Sequence, residues 1–273
     1  MKQSFIPKKI HYCWFGGNPL PEMAIKCIES WKKFLPDYEI IEWNESNYDV
    51  HKIPYISQAY NAKKYAFVSD FARFDILYEH GGLYFDTDVE VIKSMDKIIE
   101  QGAFAGVEFP GKLASGLGLA SPEASPIYKE ILDSYKKSSF IKENGQNDLT
   151  TVVTRVSDIF KKYGFTDENK IQKIADVTIY PVEYFCPKDY ETGEINITEN
   201  TYSIHHYDAS WVSDFWKNAN LIRNKIYKKT KNVFFRNFIF NIAVRIYAIK
   251  YYGFMKILKY IFLRKKGQCQ LFL

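Results

Sequence analysis

What this chain has least of sets the first limits on it. It holds only four cysteines, Cys13, Cys27, Cys186 and Cys269, far apart and with no CxxC pair, so neither a zinc site nor a disulfide framework is indicated and a reducing cytosol fits best. No stretch reaches the ~18 uncharged residues of a spanning helix, because Arg236, Arg245, Lys250, Lys256 and Lys259 interrupt the apolar tail. The N-terminal MKQSFIPKKI lacks the apolar run of a signal peptide and carries a proline where one would sit. One sign of charge is missing altogether from residues 215–273, which hold 14 Lys plus Arg and no Asp or Glu. The other 23 of the 37 basic residues face all 32 acidic ones in residues 1–214, a charge of −9 against +14 in the tail. Such asymmetry marks a basic module aimed at anionic lipid or nucleic acid, attached to an ordinary domain. We therefore divide the chain into a domain over 1–214 and a basic, aromatic extension over 215–273.

Hydrophobic residues at 47% and aromatics at 17% exclude a disordered chain, and 273 residues suffice for a sizeable core. Ile6 to Gly17 (IPKKIHYCWFGG) reads as a strand running into a glycine loop, and open α/β sheets place ligands at that carboxyl end. Pro21 to Phe34 has helical period, with Met23, Cys27, Ile28 and Trp31 on one side, and Tyr38 to Trp43 reads as a second strand. The chain thus opens as strand, helix, strand, the start of a parallel α/β sheet. Further on, the spacing predicts a short helix over Ser94–Gln101, a strand over Ala103–Glu108, helices over Ile127–Lys137 and Leu149–Tyr163, and a strand over Val177–Tyr180. The Gly-, Ser- and Pro-rich FPGKLASGLGLASPEASP between them suits a binding loop.

The most informative stretch is Tyr65–Val91, YAFVSDFARFDILYEHGGLYFDTDVEV. Phe67, Phe71, Phe74, Leu77 and Tyr78 recur at helical spacing, and Gly81–Gly82 would end that helix. A period of two follows, predicting a short strand that ends on Asp86 and Asp88, with Tyr84, Asp86, Asp88 and Glu90 on a single side. Two carboxylates side by side call for a cation to offset their repulsion. Mg²⁺ and Mn²⁺ favour such oxygens and complete their shells with phosphate and water. Asp86 and Asp88 taken alone leave three readings open: an exposed acid pair, the nucleophile motif of a haloacid-dehalogenase-type phosphatase with Asp86 attacking, or a metal site for a nucleotide-sugar diphosphate. The phosphatase lacks support downstream, since no DD or ED follows Asp88. A nucleic-acid-binding protein using the basic tail is a further alternative, opposed by the acidity of 1–214.

Three blocks in order, IPKKIHYCWFGG, SDFARFDILYEHGGLYFDTDV and IHHYDASW, resemble the family 32 glycosyltransferases of capsular polysaccharide synthesis, whose sugar-binding region contains a DxD motif. The same blocks are similar to the glucosyltransferase domains of large clostridial toxins. The resemblance implies a GT-A-like α/β fold with a mostly parallel central sheet, to which the tail adds a helical basic C-terminal extension. It also implies a retaining, metal-dependent transferase that moves a hexose from a nucleotide-sugar, first of all a UDP-sugar, to a saccharide or lipid-linked glycan. By it Asp70 and Arg73 contact the donor sugar as the catalytic pair, with Ser69 beside them. Trp14 stacks on the uracil, Tyr84 lines the nucleotide pocket, and Ser210 and Trp211 bond the diphosphate. Asp86, Asp88 and His205, preferred over His206, hold Mn²⁺ or Mg²⁺. His11 is read as structural.

The expected setting is cytoplasmic, with the tail on the inner face of an anionic cell membrane and no nucleic-acid partner. The helical wheel of the tail is untidy, since Arg236 and Arg245 fall about 180° apart at 100° per residue. Its first helix could therefore pack on the domain as readily as on lipid, and Gly253 is expected to split it from a second.

Overall fold

The computed structural model describes residues 5–208, 214–230 and 232–253. They fall into two units, one of residues 5–188 with 195–208 and one of residues 189–194 with the described residues from 214 to 253.

The first unit opens as its periodicity predicts: β1 (Lys9–Cys13), α1 (Glu22–Phe34) and β2 (Glu39–Trp43), with β1 and β2 parallel and in register from Lys9–Glu39 to Cys13–Trp43. Helix α1 buries Ala24, Cys27, Ile28 and Trp31, one apolar face in a segment that is otherwise charged. Helix α2 (Pro54–Asn61), which the sequence reading left out, starts on its proline, a position where the missing N–H costs nothing. Helix α3 (Tyr65–His80) follows, then β3 (Gly82–Tyr84), β4 (Val89–Val91), the short α4 (Asp96–Ile99), β5 (Phe104–Phe109), β6 (Lys112–Ser121), α5 (Pro126–Lys136), α6 (Val152–Lys161), β7 (Gln172–Ile174), β8 (Val177–Tyr180), the short α7 (Val182–Phe185) and β9 (Ser203–His205).

Seven strands form one sheet in the order β2-β1-β3-β6-β5-β8-β7, and β4 pairs with β9 in a separate two-stranded ribbon. Strands β1, β2, β3, β5 and β8 run one way and β6 and β7 the other, so the sheet is mostly parallel in direction. Side chains of α2, α3, α5 and α6 pack on one face in a single apolar cluster. Those of α1, α4 and α7 pack on the other, which also covers β4. The mixed α/β architecture with a mostly parallel sheet is therefore as expected.

Two expectations fail here. The strand expected to end on Asp86 and Asp88 stops at Tyr84, and the alternation that runs on to Glu90 does not form one strand. After β3 the chain turns, with Val89 N–H donating to the Asp86 carbonyl at 3.1 Å, and continues in the other sheet. The DxD thus sits on a turn between two sheets, and Asp86 and Asp88 leave in different directions. The Gly- and Ser-rich segment read as a binding loop is instead β6, buried along almost its whole length between β3 and β5. Its small residues serve close packing: a Cβ on Gly118 would stand 3.1 Å from the Phe85 ring, and one on Gly116 1.9 Å from Asp86 Oδ2.

In the second unit, α8 (Asp214–Lys229) and α9 (Val233–Tyr252) form an antiparallel pair. Phe215 at the start of α8 stacks on Tyr247 near the end of α9, while Tyr227 donates to Asn237 Oδ1 at 2.5 Å. Helix α9 stops at Gly253, whose φ of 80° suits glycine, and the helix expected beyond it lies outside the described residues.

Candidate active site

The site grows from the way α3 joins β3. The helix runs down to Gly81 and the strand runs back up from Gly82, both glycines at positive φ (56° and 98°). Neither tolerates a side chain, since a Cβ would lie 2.9 Å from Pro7 Cδ at Gly81 and 2.8 Å from the Lys9 carbonyl at Gly82. Eight residues of helix at about 1.5 Å each separate Arg73 from Gly81, and four extended residues at about 3.3 Å separate Gly82 from Asp86, so both lengths come to about 12–13 Å. Equal lengths on either side of a tight reversal bring Arg73 level with Asp86.

The contacts bear that out. Arg73 Nη2 lies 2.9 Å from Asp70 Oδ1 and 3.3 Å from Asp86 Oδ1, Nη1 donates to Ser115 Oγ at 3.1 Å, and Nε donates to the Ser69 carbonyl at 3.2 Å. The guanidinium also lies over the Tyr84 ring at 5.0 Å, and the Tyr84 hydroxyl donates to Asp86 Oδ1 at 3.0 Å. One buried cation is shared by two carboxylates, an arrangement that only a planar fork of donors can satisfy. Burial pushes the Asp70 carboxyl up to about 7, Arg73 pulling it down and Asp86 pushing it up again. Ser69 turns its own hydroxyl back to the Tyr65 carbonyl at 3.2 Å.

On the far side of the turn, Asp88 meets β9. His205 Nε2 stands 3.3 Å from Asp88 Oδ1, and the Asp208 N–H donates to Oδ2 at 2.9 Å. Burial opposes ionisation of Asp88, but the imidazole and that N–H outweigh it and hold the carboxyl near 2. The same pairing lifts His205 well above its usual range against the effect of burial. His206 points instead to Glu90, Nε2 to Oε2 at 2.7 Å, in a pair that also takes Lys26. His205 is thus the histidine that faces the DxD, and His206 faces Glu90.

Asp70, Arg73, Tyr84 and Asp86 thus form one cluster and Asp88 with His205 another. Trp14 follows β1 at the carboxyl edge that β3 shares, half-buried, its Nε1 donating to the Asn18 carbonyl at 2.6 Å. Ser210 and Trp211 lie outside the described residues. Among the described residues no three acidic, His or Cys side chains converge as a ready-made cation cluster. The donor set nevertheless suits a hard divalent ion: carboxylates on either side of one turn, an imidazole on Asp88, and a buried His205 Nδ1 without a hydrogen-bond partner among the described residues. Sequence reasoning missed Ser115 and Gly116, the β6 residues that hold Arg73 and make room for Asp86. Alternating small residues bounded by Lys112 and Pro122 were the available signal.

A parallel edge with paired acids, a buried arginine and a half-buried tryptophan makes up the candidate site. The family described as "Glycosyltransferase sugar-binding region containing DXD motif" matches residues 21–105, which include Asp70, Arg73, Asp86 and Asp88. Three fungal proteins are similar. Inositol phosphoceramide mannosyltransferase 3 of Schizosaccharomyces pombe is 25% identical over 50% of this chain and 38% of its own length. Inositol phosphoceramide mannosyltransferase 1 of the same yeast is 31% identical over 36% of this chain and 33% of its own. Mannosyl phosphorylinositol ceramide synthase CSH1 of Saccharomyces cerevisiae is 23% identical over 70% of this chain and 54% of its own. The chain spans between a third and about half the length of these relatives. Among solved structures, the PaToxG glycosyltransferase aligns with a TM-score of 0.45 at 20% identity, over 57% of this chain and 68% of that one. The family match and the named relatives support a transferase enzyme of the glycosyltransferase class.

Proposed function

We propose that this chain transfers a hexose, with retention of anomeric configuration, from a nucleotide-sugar to a saccharide or lipid-linked glycan acceptor. The observation that carries the reading is the Arg73 guanidinium shared between Asp70 and Asp86, inside the matched region and next to the DxD turn. UDP-hexoses are the first donors to test. The relatives' names add mannose as a sugar and an inositol phosphoceramide, itself a lipid, as an acceptor. They favour a lipid-linked acceptor; the inner face of a membrane as its setting and a capsule-type surface polysaccharide as its destination follow from the sequence reading alone.

In the reaction, the bond between the anomeric carbon and the diphosphate oxygen breaks, its electron pair leaving with the diphosphate. The acceptor oxygen bonds the same face of the sugar, and its proton passes to the departing diphosphate. Asp70 accepts hydrogen bonds from sugar hydroxyls, and Arg73, anchored by Ser115 and the Ser69 carbonyl, fixes Asp70 and Asp86 in place. Trp14 offers a ring on which a base can stack. A divalent cation held by Asp88 and His205 with Asp86, when bound, supplies positive charge against that growing on the leaving diphosphate. Purified protein with Mn²⁺ and a panel of UDP-hexoses and GDP-mannose should release the nucleoside diphosphate from at least one donor. A folded protein that releases none from any donor, with or without candidate glycolipid, would overturn the reading.

A further inference from the structure

The outward side of α9 is apolar where a surface helix should be polar. Phe234, Phe238, Ile242, Ile246 and Ile249 follow one another at steps of four, four, four and three, which at about 100° per residue confines them to an arc of about 120°. All are exposed, Phe234 at 79%, Phe238 at 55% and Ile246 at 62%, and Phe235 joins them at 55%. The helix has no acidic residue, and the only acid of α8 is Asp214 at its start. The untidy wheel of the sequence resolves here. Arg236 turns away to Glu191 at 2.8 Å and lies over Tyr227 at 4.4 Å, while Arg245 stays within the exposed arc.

We propose that this face of α9 docks on an anionic lipid bilayer, lying in its surface with Phe234, Phe238, Ile242, Ile246 and Ile249 sunk among the acyl chains. Two features choose lipid as the occupant. No described helix is long and apolar enough to cross a membrane, so a 20-residue helix with an apolar arc and cationic flanks fits the interface. A second copy seated on the same face would bring Arg245 towards its own equivalent, whereas lipid phosphates complement Arg245 and the exposed Lys225, Lys228, Lys229 and Lys250. The proposal is independent of the transferase reading.

Flotation of the full chain with vesicles of phosphatidylcholine alone, or doped with phosphatidylglycerol, tests it. Binding to the anionic vesicles alone, weakened by salt, is expected. The triple variant Phe234→Ala, Phe238→Ala, Ile246→Ala should lose about tenfold or more in vesicle affinity, with melting temperature and donor turnover unchanged. Arg245→Glu should weaken binding to anionic vesicles while leaving the apolar arc intact. Equal binding by the triple variant, equal binding to neutral vesicles, or no binding by the parent would overturn the proposal. So would a parent oligomer, formed without lipid, that the triple variant dissociates.

Discussion

Arg73 Nη2 and Asp86 Oδ1 stand 3.3 Å apart although the first is on a helix and the second on a turn between two sheets. Glycine spacing puts them level, and the bare Cα of Gly116 lets them meet. A Cβ at Gly116 would fall 1.9 Å from Asp86 Oδ2 and 2.8 Å from its Cγ, with no positive φ to add backbone strain.

Gly116→Ala should therefore act on the chemistry more than on the fold. Displacing the Asp86 carboxylate by an ångström is expected to cut donor turnover about 100-fold. Circular dichroism should be unchanged and melting close to that of the parent. A variant that unfolds, or one that turns over normally, would show that Asp86 is not held where its neighbours place it.

Arg73→Lys keeps the charge and loses the fork. One ammonium cannot reach Asp70, Asp86, Ser115 Oγ and the Ser69 carbonyl together, so turnover should fall about 100- to 1,000-fold. Stability should drop by about 1–3 kcal/mol, because buried acceptors are left unpaired. A double-mutant cycle with Asp70→Asn should show coupling of about 1 kcal/mol or more, measured by urea unfolding.

Much of this was legible because period and spacing carry it. The parallel opening of β1, α1 and β2 came from the change between helical and alternating patterns, and α3 from its Phe71, Phe74 and Leu77 stripe, all buried. Asp86 and Asp88 were marked by type and separation, Asp70 and Arg73 by the family resemblance. The break between β3 and β4 was not, because the turn at Asp86–Val89 has neither Gly nor Pro and keeps the alternation running on paper. Strand β6 was hidden for the opposite reason: Gly116, Gly118, Ser115 and Ala114 have weak strand preference. Only the packing of Asp86, Phe85 and Arg73 against them makes small residues necessary. In the tail, composition gave the charge but not that Glu191 claims Arg236.

Metal binding can be read without turnover. Mn²⁺ alone should raise the melting temperature in proportion to its binding, and chelation should reverse the shift and abolish release of nucleoside diphosphate. Asp88→Asn should lose both effects while keeping its secondary structure. A metal-induced shift that survives in Asp88→Asn and in His205→Gln would move the cation elsewhere.

His11 gives a stability prediction that is separate from the chemistry. It is fully buried in β1, its Nε2 3.0 Å from the Gly81 carbonyl and its Nδ1 accepting from Trp43 Nε1 at 3.1 Å. That pair of partners fixes the neutral tautomer with the proton on Nε2. Burial, together with the neighbouring His80 and Lys9 and against the Gly81 bond, lowers its pKa from 6.5 to about 4. Between those values the unfolded chain binds the extra proton and the folded one does not, so stability rises with pH and is lost as pH falls from 6.5 towards 4. The loss attributable to this ring approaches about 3 kcal/mol at the acid end, at 1.36 kcal/mol for each pKa unit. Urea unfolding across that window should give a slope that His11→Gln, whose amide can serve both Gly81 and Trp43, reduces by nearly one proton. An unchanged slope would mean that His11 titrates alike in both states and that its buried contacts do not set its charge.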